Sequence, residues 1–209
     1  MNEQYQIGNA QTIGSREVQS NYFSIVSNDA GELFAVLADG TIDHPNGRKA
    51  AIIAVEYCVE AFLQNSMYQQ EGHTMLDIAL RANKQIQEKI YIGKTPRLSL
   101  TMALLKKQEL QYFNVGANKL YLYEGHRERI FTSNTNKPYT YARYELSPGN
   151  VLGALSPGAH TVTHPMERIK IIESKEKIYD KAQAVIELIK RKNLNNQLNA
   201  TILLIEPKK

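Results

Sequence analysis

Residues 32–51 read ELFAVLADGTIDHPNGRKAA, a hydrophobic run that ends in Asp39-Gly40, followed by a polar turn and the first residues of a helix. The run 32–39 alternates and is rich in strand-forming residues. With NYFSIVSN (21–28) before it and DAG between, it predicts a β-hairpin in which Gly31 supplies positive φ. From Asn46 to Gln64, Ala50, Ala51, Ala54, Cys58, Ala61 and Phe62 recur at three- and four-residue spacing, which predicts an amphipathic helix. A second helix is expected from Thr74, as its N-cap, to Ile90, with Leu76, Ala79, Leu80, Asn83 and Ile86 on one stripe.

The period then shifts to two. LSLTMALLKK (98–107), ELQYFNVG (109–116), KLYLYEG (119–125) and RERIFTS (127–133) predict an antiparallel meander. The prolines and glycines of 133–167 make that region irregular, with one strand expected at HTVTH (160–164). A strand at 168–173, a helix at 179–193 and a strand at 200–206 complete the reading. Strands in two groups, with helices inserted early and late, point to an α+β fold of two stacked sheets with helices outside, in a single domain over 1–209.

Composition narrows the function. A chain of 209 residues with 43% hydrophobic residues can bury one ample core, and no apolar run reaches membrane-spanning length. The polar N-terminus lacks the order of a secretory signal, so a cytoplasmic protein without a membrane partner is expected. Cys58, the one cysteine, falls among apolar helix positions and reads as a buried thiol. The net charge of +4 is spread along the chain, without an arginine-rich arm or zinc-ligand spacing, so no nucleic-acid partner is expected. Ser15, Ser20 and Ser174 have no Ser/His/Asp partners, and Tyr112, Phe113, Tyr121 and Tyr123 read as sheet packing.

Five segments in order resemble the metal-dependent protein phosphatases of the PPM, or PP2C, family. GSREVQSNYF (14–23) is similar to the family's G-x-R-x-x-N-E-D segment, and LADGTIDHPNGRKAA (37–51) to its ADGMGGH strand and helix. NVGANKLYLYEGHRERIFT (114–132) is similar to NVGDSRAYLY, VLGALSPG (151–158) to a later LG segment, and LNATILLIE (198–206) to the closing DN-x-T strand. The resemblance implies a four-layer α/β/β/α sandwich of mainly antiparallel sheets. It also implies an edge site where carboxylates hold two Mn²⁺ or Mg²⁺ ions and a bridging water attacks phosphoserine or phosphothreonine.

Carried over position by position, that site is depleted. Ser20 takes the place of the first aspartate; Asp39 and the carbonyl of Gly40 are retained; Lys175, after Ser174 in IKIIESKE, takes the third place; Leu198 takes the fourth. Hard divalent cations require oxygen ligands and compensating charge. At ~4 Å and an effective dielectric of ~20, each missing unit-charge interaction is worth on the order of 4 kcal/mol. No bound cofactor is therefore expected, and Mn²⁺ or Mg²⁺ is the metal to expect if one binds.

Arg16 matches the arginine with which the family contacts substrate phosphate, a role that suits its forked donors. His44 matches the histidine ending GGH, read as bracing the turn, and His160 and His164 are expected to share one strand face. The expectation is a pseudophosphatase that binds a phosphoprotein, or another protein of a Ser/Thr kinase pathway. The alternative is an active phosphatase that recruits Asp39, Asp43, His44, Glu173 or Asp180 into a rearranged metal site.

Overall fold

The computed structural model describes residues 4–40, 44–64, 75–90, 97–131 and 138–208. The chain opens with β1 (Tyr5–Thr12), β2 (Asn21–Ser27), β3 (Leu33–Gly40), α1 (Gly47–Leu63) and α2 (Met75–Lys89). Next come β4 (Leu98–Lys106), β5 (Glu109–Val115), β6 (Lys119–Glu124), β7 (Arg127–Ile130), β8 (Tyr139–Glu145) and β9 (Val151–Leu155). It closes with α3 (Pro157–His160), α4 (Pro165–Ile172), α5 (Ile178–Arg191) and β10 (Ala200–Pro207). One sheet has the order β1-β10-β9-β6-β7 and the other β2-β3-β4-β5-β8, with every pairing antiparallel.

Side-chain alternation sorts the apolar residues into three layers. On β3, Phe34, Val36 and Ala38 pack toward α1 and α2, whereas Leu33, Ala35 and Leu37 pack between the sheets. On β10, Leu203 and Ile205 face the other sheet, while Ile202 and Leu204 face α5. Both strands are covered on two sides, which is why LFAVLA and TILLI read as unbroken apolar runs. The result is the α/β/β/α sandwich that the sequence implied.

The hairpin and α1 form as the sequence predicts, with Gly31 at φ +76° and all six predicted α1 positions buried. Tyr112, Phe113, Tyr121 and Tyr123 are likewise buried in the packing. In α2 the phase differs: Met75, Ile78, Ala82 and Ile86 are buried, and Leu80 is 58% exposed. The proposed cap Thr74 lies outside the described residues.

Other expectations are corrected. Residues 168–173 are not a strand; most of them belong to α4, where His164 caps the first turn, Glu167 completes a capping box and Pro165 presets φ. These local bonds outweigh the strand preference of Ile169, Ile171 and Ile172. Residues 160–164 are not a strand either, since His160 ends α3 and His164 starts α4. The sequence alone does not reveal β1, β8 and β9. In β1, Gly8 lets α5 approach so closely that a Cβ would lie 2.2 Å from the Ile178 carbonyl oxygen.

Candidate functional site

All ten strands of the described residues have one end along the same edge of the sandwich, with β7 finishing and β8 beginning there as Ile130 pairs with Tyr121 and Tyr139 with Val115. β1, β3, β5 and β9 finish there, and β2, β4, β6 and β10 begin there, as their pairings show: Thr12 with Ala200, Asn21 with Asp39, Gly40 with Leu98, and Lys119 with Leu155. Strand ends leave main-chain groups without ladder partners, so side chains must answer them. Asn199, with Gln197, Asn118, Ser99 and Ser156, does this. Asn199 Oδ1 accepts from Ser20 N at 2.8 Å and its Nδ2 donates to the Ile13 carbonyl at 2.8 Å, tying β1, β2 and β10 together. Asn21 Nδ2 donates to Thr201 Oγ1 at 3.0 Å, and Asn118 Nδ2 to the Leu37 carbonyl at 3.2 Å, joining the two sheets.

Asn199→Ala would strand the buried Ser20 N–H and remove the Ile13 contact. A loss of about 2 kcal/mol is expected in urea unfolding, with the m-value unchanged.

Asp39 has the same alternation as Leu33, Ala35 and Leu37, which places its side chain on the face between the sheets, beside its cross-strand neighbours Asn21 and Ser99. Burial raises its pKa to about 6. Gly40 has the opposite alternation and receives the start of α1, where a Cβ would lie 2.0 Å from the Gly47 carbonyl oxygen. His44 braces this turn: its Nδ1 accepts from Asn46 N at 3.1 Å and its carbonyl from Gly47 N at 2.9 Å.

Register and topology revise two placements. The residue across from Asp39 is Asn21, whereas Ser20 lies just before β2 and engages Asn199 and Gly40 through its backbone. Asn21 is 1% exposed and its Oδ1 is buried without a hydrogen-bond partner. Lys175 is not brought to Asp39. It is exposed on the α4–α5 connection, and nearby Glu173 pairs with His126 on the β6–β7 turn, about 20 Å along β6 from the edge that holds Asp39. The chain leaving β9 instead brings Ser156-Pro157-Gly158 to this edge. Ser156 N donates to the Thr201 carbonyl at 3.0 Å, and a Cβ on Gly158 would lie 2.2 Å from the Asn199 carbonyl oxygen. The signal was present as GALSPG (153–158), a strand running into Ser-x-Gly.

Leu198 lies at this edge, immediately before Asn199, and offers no ligand atom from its side chain. Asp180 is exposed in the first turn of α5, and Asp43 lies outside the described residues. His160 and His164 do not share a face: His160 Nε2 lies 2.9 Å from the Ala117 carbonyl, and His164 caps α4. A carbonyl only accepts, so His160 Nε2 carries the proton. Burial holds the ring toward its neutral form.

Among the described residues, no three His, Cys, Asp or Glu side chains converge. The strand-end residues Asn21, Asp39, Pro157 and Leu198 supply one carboxylate, a donor set that does not fit a pair of divalent cations. The side chains near this edge are instead basic. Arg16 lies in the turn after β1 with its Nε buried and without a hydrogen-bond partner, Arg48 Nη1 donates to the Gln19 carbonyl at 2.5 Å, and Lys119 opens β6. Beside Asp39 is a cleft of about 700 Å³, walled by Leu76, Ala79 and Leu80 of α2 and by Leu100, Phe113 and Val115 of the sheet. Leu76, Ala79, Leu80 and Asn83 of the predicted α2 stripe thus line a cleft, whereas Ile86 is buried in the core.

No protein-family model matches the sequence, and no curated protein matches it. Solved structures do match. The chain is similar to the serine/threonine phosphatase of S. agalactiae, at 17% identity and a TM-score of 0.78, over 98% of this chain and 100% of that one. It is similar to the Mycobacterium tuberculosis serine/threonine phosphatase PstP/Ppp at 13% identity and a TM-score of 0.80, over 99% and 100%. A PstP catalytic domain in complex with two manganese ions matches at 16% identity and a TM-score of 0.76, over 99% of each chain. The chain therefore has the fold of the bacterial PP2C-type serine/threonine phosphatases, over nearly its whole length.

Proposed function

We propose that this protein is a pseudophosphatase: it binds a phosphorylated protein of a Ser/Thr signalling pathway at the edge that holds Asp39, and does not hydrolyse the phosphate. The observation that carries this reading is the donor set. In our reading, Asn21, Pro157 and Leu198 stand where the phosphatase fold places three of its metal carboxylates, and Asp39 stands in the fourth. Each lost carboxylate removes on the order of 8 kcal/mol of attraction for a divalent ion at ~4 Å and an effective dielectric of ~20.

The anion side of the site supports the same reading. Arg16 brings a guanidinium in the turn after β1, and such a forked donor is suited to phosphate oxygens. Arg48 and Lys119 add positive charge, and the apolar cleft offers room for side chains that flank a phosphoresidue. The alternative active site finds less support. His44 is engaged in its turn, Glu173 pairs with His126 toward the opposite edge, and Asp180 is exposed on α5.

Calorimetric titration with Mn²⁺, together with a phosphopeptide assay, tests the reading. Expected are no metal binding in the micromolar range, no turnover, and phosphopeptide binding that weakens about tenfold in Arg16→Ala, the loss of one charge-assisted contact. Micromolar Mn²⁺ affinity with metal-dependent turnover would establish an enzyme instead. Equal capture of phosphorylated and unphosphorylated peptide would remove the phosphate from the proposal.

A further inference from the structure

Among the described residues, four strands form the lateral edges of the two sheets: β1 and β7 in one, β2 and β8 in the other. An edge strand offers main-chain N–H and C=O groups to any other strand, and proteins blunt such edges with charge, shortness or cover. Three of these four are blunted. β7 is the four-residue segment RERI, with three charged side chains. β8 carries Arg143 and Glu145. On β1, Gln183 Nε2 donates to the Asn9 carbonyl at 3.1 Å and Gln19 Nε2 to the Thr12 carbonyl at 3.2 Å.

β2 differs. NYFSIVS is seven residues long and uncharged, with Tyr22, Phe23, Ile25 and Val26 half-buried, whereas its neighbour β3 is buried almost throughout. The ladder shows which groups face outward. Gly40 N donates to the Ser20 carbonyl and Asn28 N to the Glu32 carbonyl, so in register Tyr22, Ser24 and Val26 turn their main-chain groups toward β3. Phe23 and Ile25 turn theirs away from it.

We infer that β2 pairs antiparallel with β2 of a second copy of this chain, about a two-fold axis through Ser24. In this register Phe23 meets Ile25 of the second copy and Tyr22 meets Val26, pairing aromatic with β-branched side chains on both faces. Phe23 and Ile25 exchange main-chain bonds on each side of the axis, so the pairing is centred on residues 22–26; at the start of the strand Asn21 N donates to Gln19 Oε1 at 3.2 Å. Moving the axis to Phe23 or Ile25 leaves one end of the strand unpaired. An odd shift sets outward groups against residues whose own groups face β3. Because Phe23 and Ile25 pack against the layer between the sheets, the pairing carries that apolar layer across the axis. The strand holds no charge, so self-pairing meets no repulsion within it.

The test uses the full chain and does not depend on the phosphate reading. At the axis, Ser24 faces its own copy in a non-hydrogen-bonded pair, with Cα atoms about 4.5 Å apart, within disulfide reach. Cys58 is fully buried and gives little background. Ser24→Cys is expected to form a disulfide-linked dimer under mild oxidation. Ser27→Cys is not, because its two copies would lie about 20 Å apart in this register. Sedimentation of the unmodified protein should show dimer growing with concentration. Ser24→Lys, which sets like charges opposite each other, should remain monomeric with its unfolding transition retained. A monomer at every concentration, or cross-linking of Ser27→Cys as fast as Ser24→Cys, would overturn the inference.

Discussion

Arg168→Met is expected to lower stability by about 3–5 kcal/mol, out of a total on the order of 5–15 kcal/mol. Arg168 is 2% exposed in α4. Its Nε and Nη2 donate to Glu128 Oε2 and Oε1 at 2.6 and 2.5 Å, and its Nη1 donates to Thr163 Oγ1 at 2.8 Å. The guanidinium also lies 4.9 Å from the centre of the Tyr121 ring. Methionine keeps the apolar stem but leaves the Glu128 carboxylate, whose side chain is 6% exposed, without its counter-charge. That desolvated charge is the source of the cost. At about 2–4 °C per kcal/mol for a chain of this size, the melting temperature should fall by roughly 10 °C. Arg168→Met combined with Glu128→Leu should recover much of the loss, because no charge remains buried. A single variant within ~1 kcal/mol of the parent would show that water reaches the pair and screens it.

The second large effect concerns Asp39 and depends on pH. Burial raises its pKa from 3.8 to about 6. An acid whose folded pKa lies above its unfolded value favours the folded state in its neutral form. That contribution is complete below about pH 4 and lost as pH rises through about 6. Asp39→Asn keeps the neutral shape at every pH. It should match the parent below about pH 4 and exceed it by up to about 3 kcal/mol above pH 6, two pKa units at 1.36 kcal/mol each. Chemical unfolding at pH 3.5 and 7.5 reads the difference directly; an equal offset at both would point to packing rather than charge. Mn²⁺ should leave the melting temperature of both proteins unchanged at pH 7.5. A rise in the parent that vanishes in Asp39→Asn would show a functioning metal site.

The parts of the fold legible in the sequence are those specified by local periodicity. The α1 phase, the β2–β3 hairpin and the strands β4–β7 each repeat their apolar residues at the spacing of the element they form, although these four strands are not one meander: β4 and β5 lie in one sheet and β6 and β7 in the other, because β5 pairs with β8 and β6 with β9. The parts that were not legible depend on contacts distant in sequence. β1 pairs with β10 some two hundred residues away and carries polar side chains beside Gly8, so it has little signal of its own. The IKII segment has strand-forming residues, yet a capping box and the Arg168–Glu128 pair hold it as a helix.

The site divides in the same way. Local sequence pattern places Asp39-Gly40 at a strand end before a turn and Arg16 ahead of the second strand, with few carboxylates in the corresponding motifs. Which residues share that edge follows from long-range pairing and packing. A strand's faces alternate with every residue, so the pairing of β2 with β3 sets Asn21 rather than Ser20 against Asp39. The end of β9 enters the edge because it neighbours β10, while the α4–α5 connection bearing Lys175 extends toward the other side of the sandwich. Register and chain crossing are set by hydrogen bonds and packing between segments that no local pattern relates.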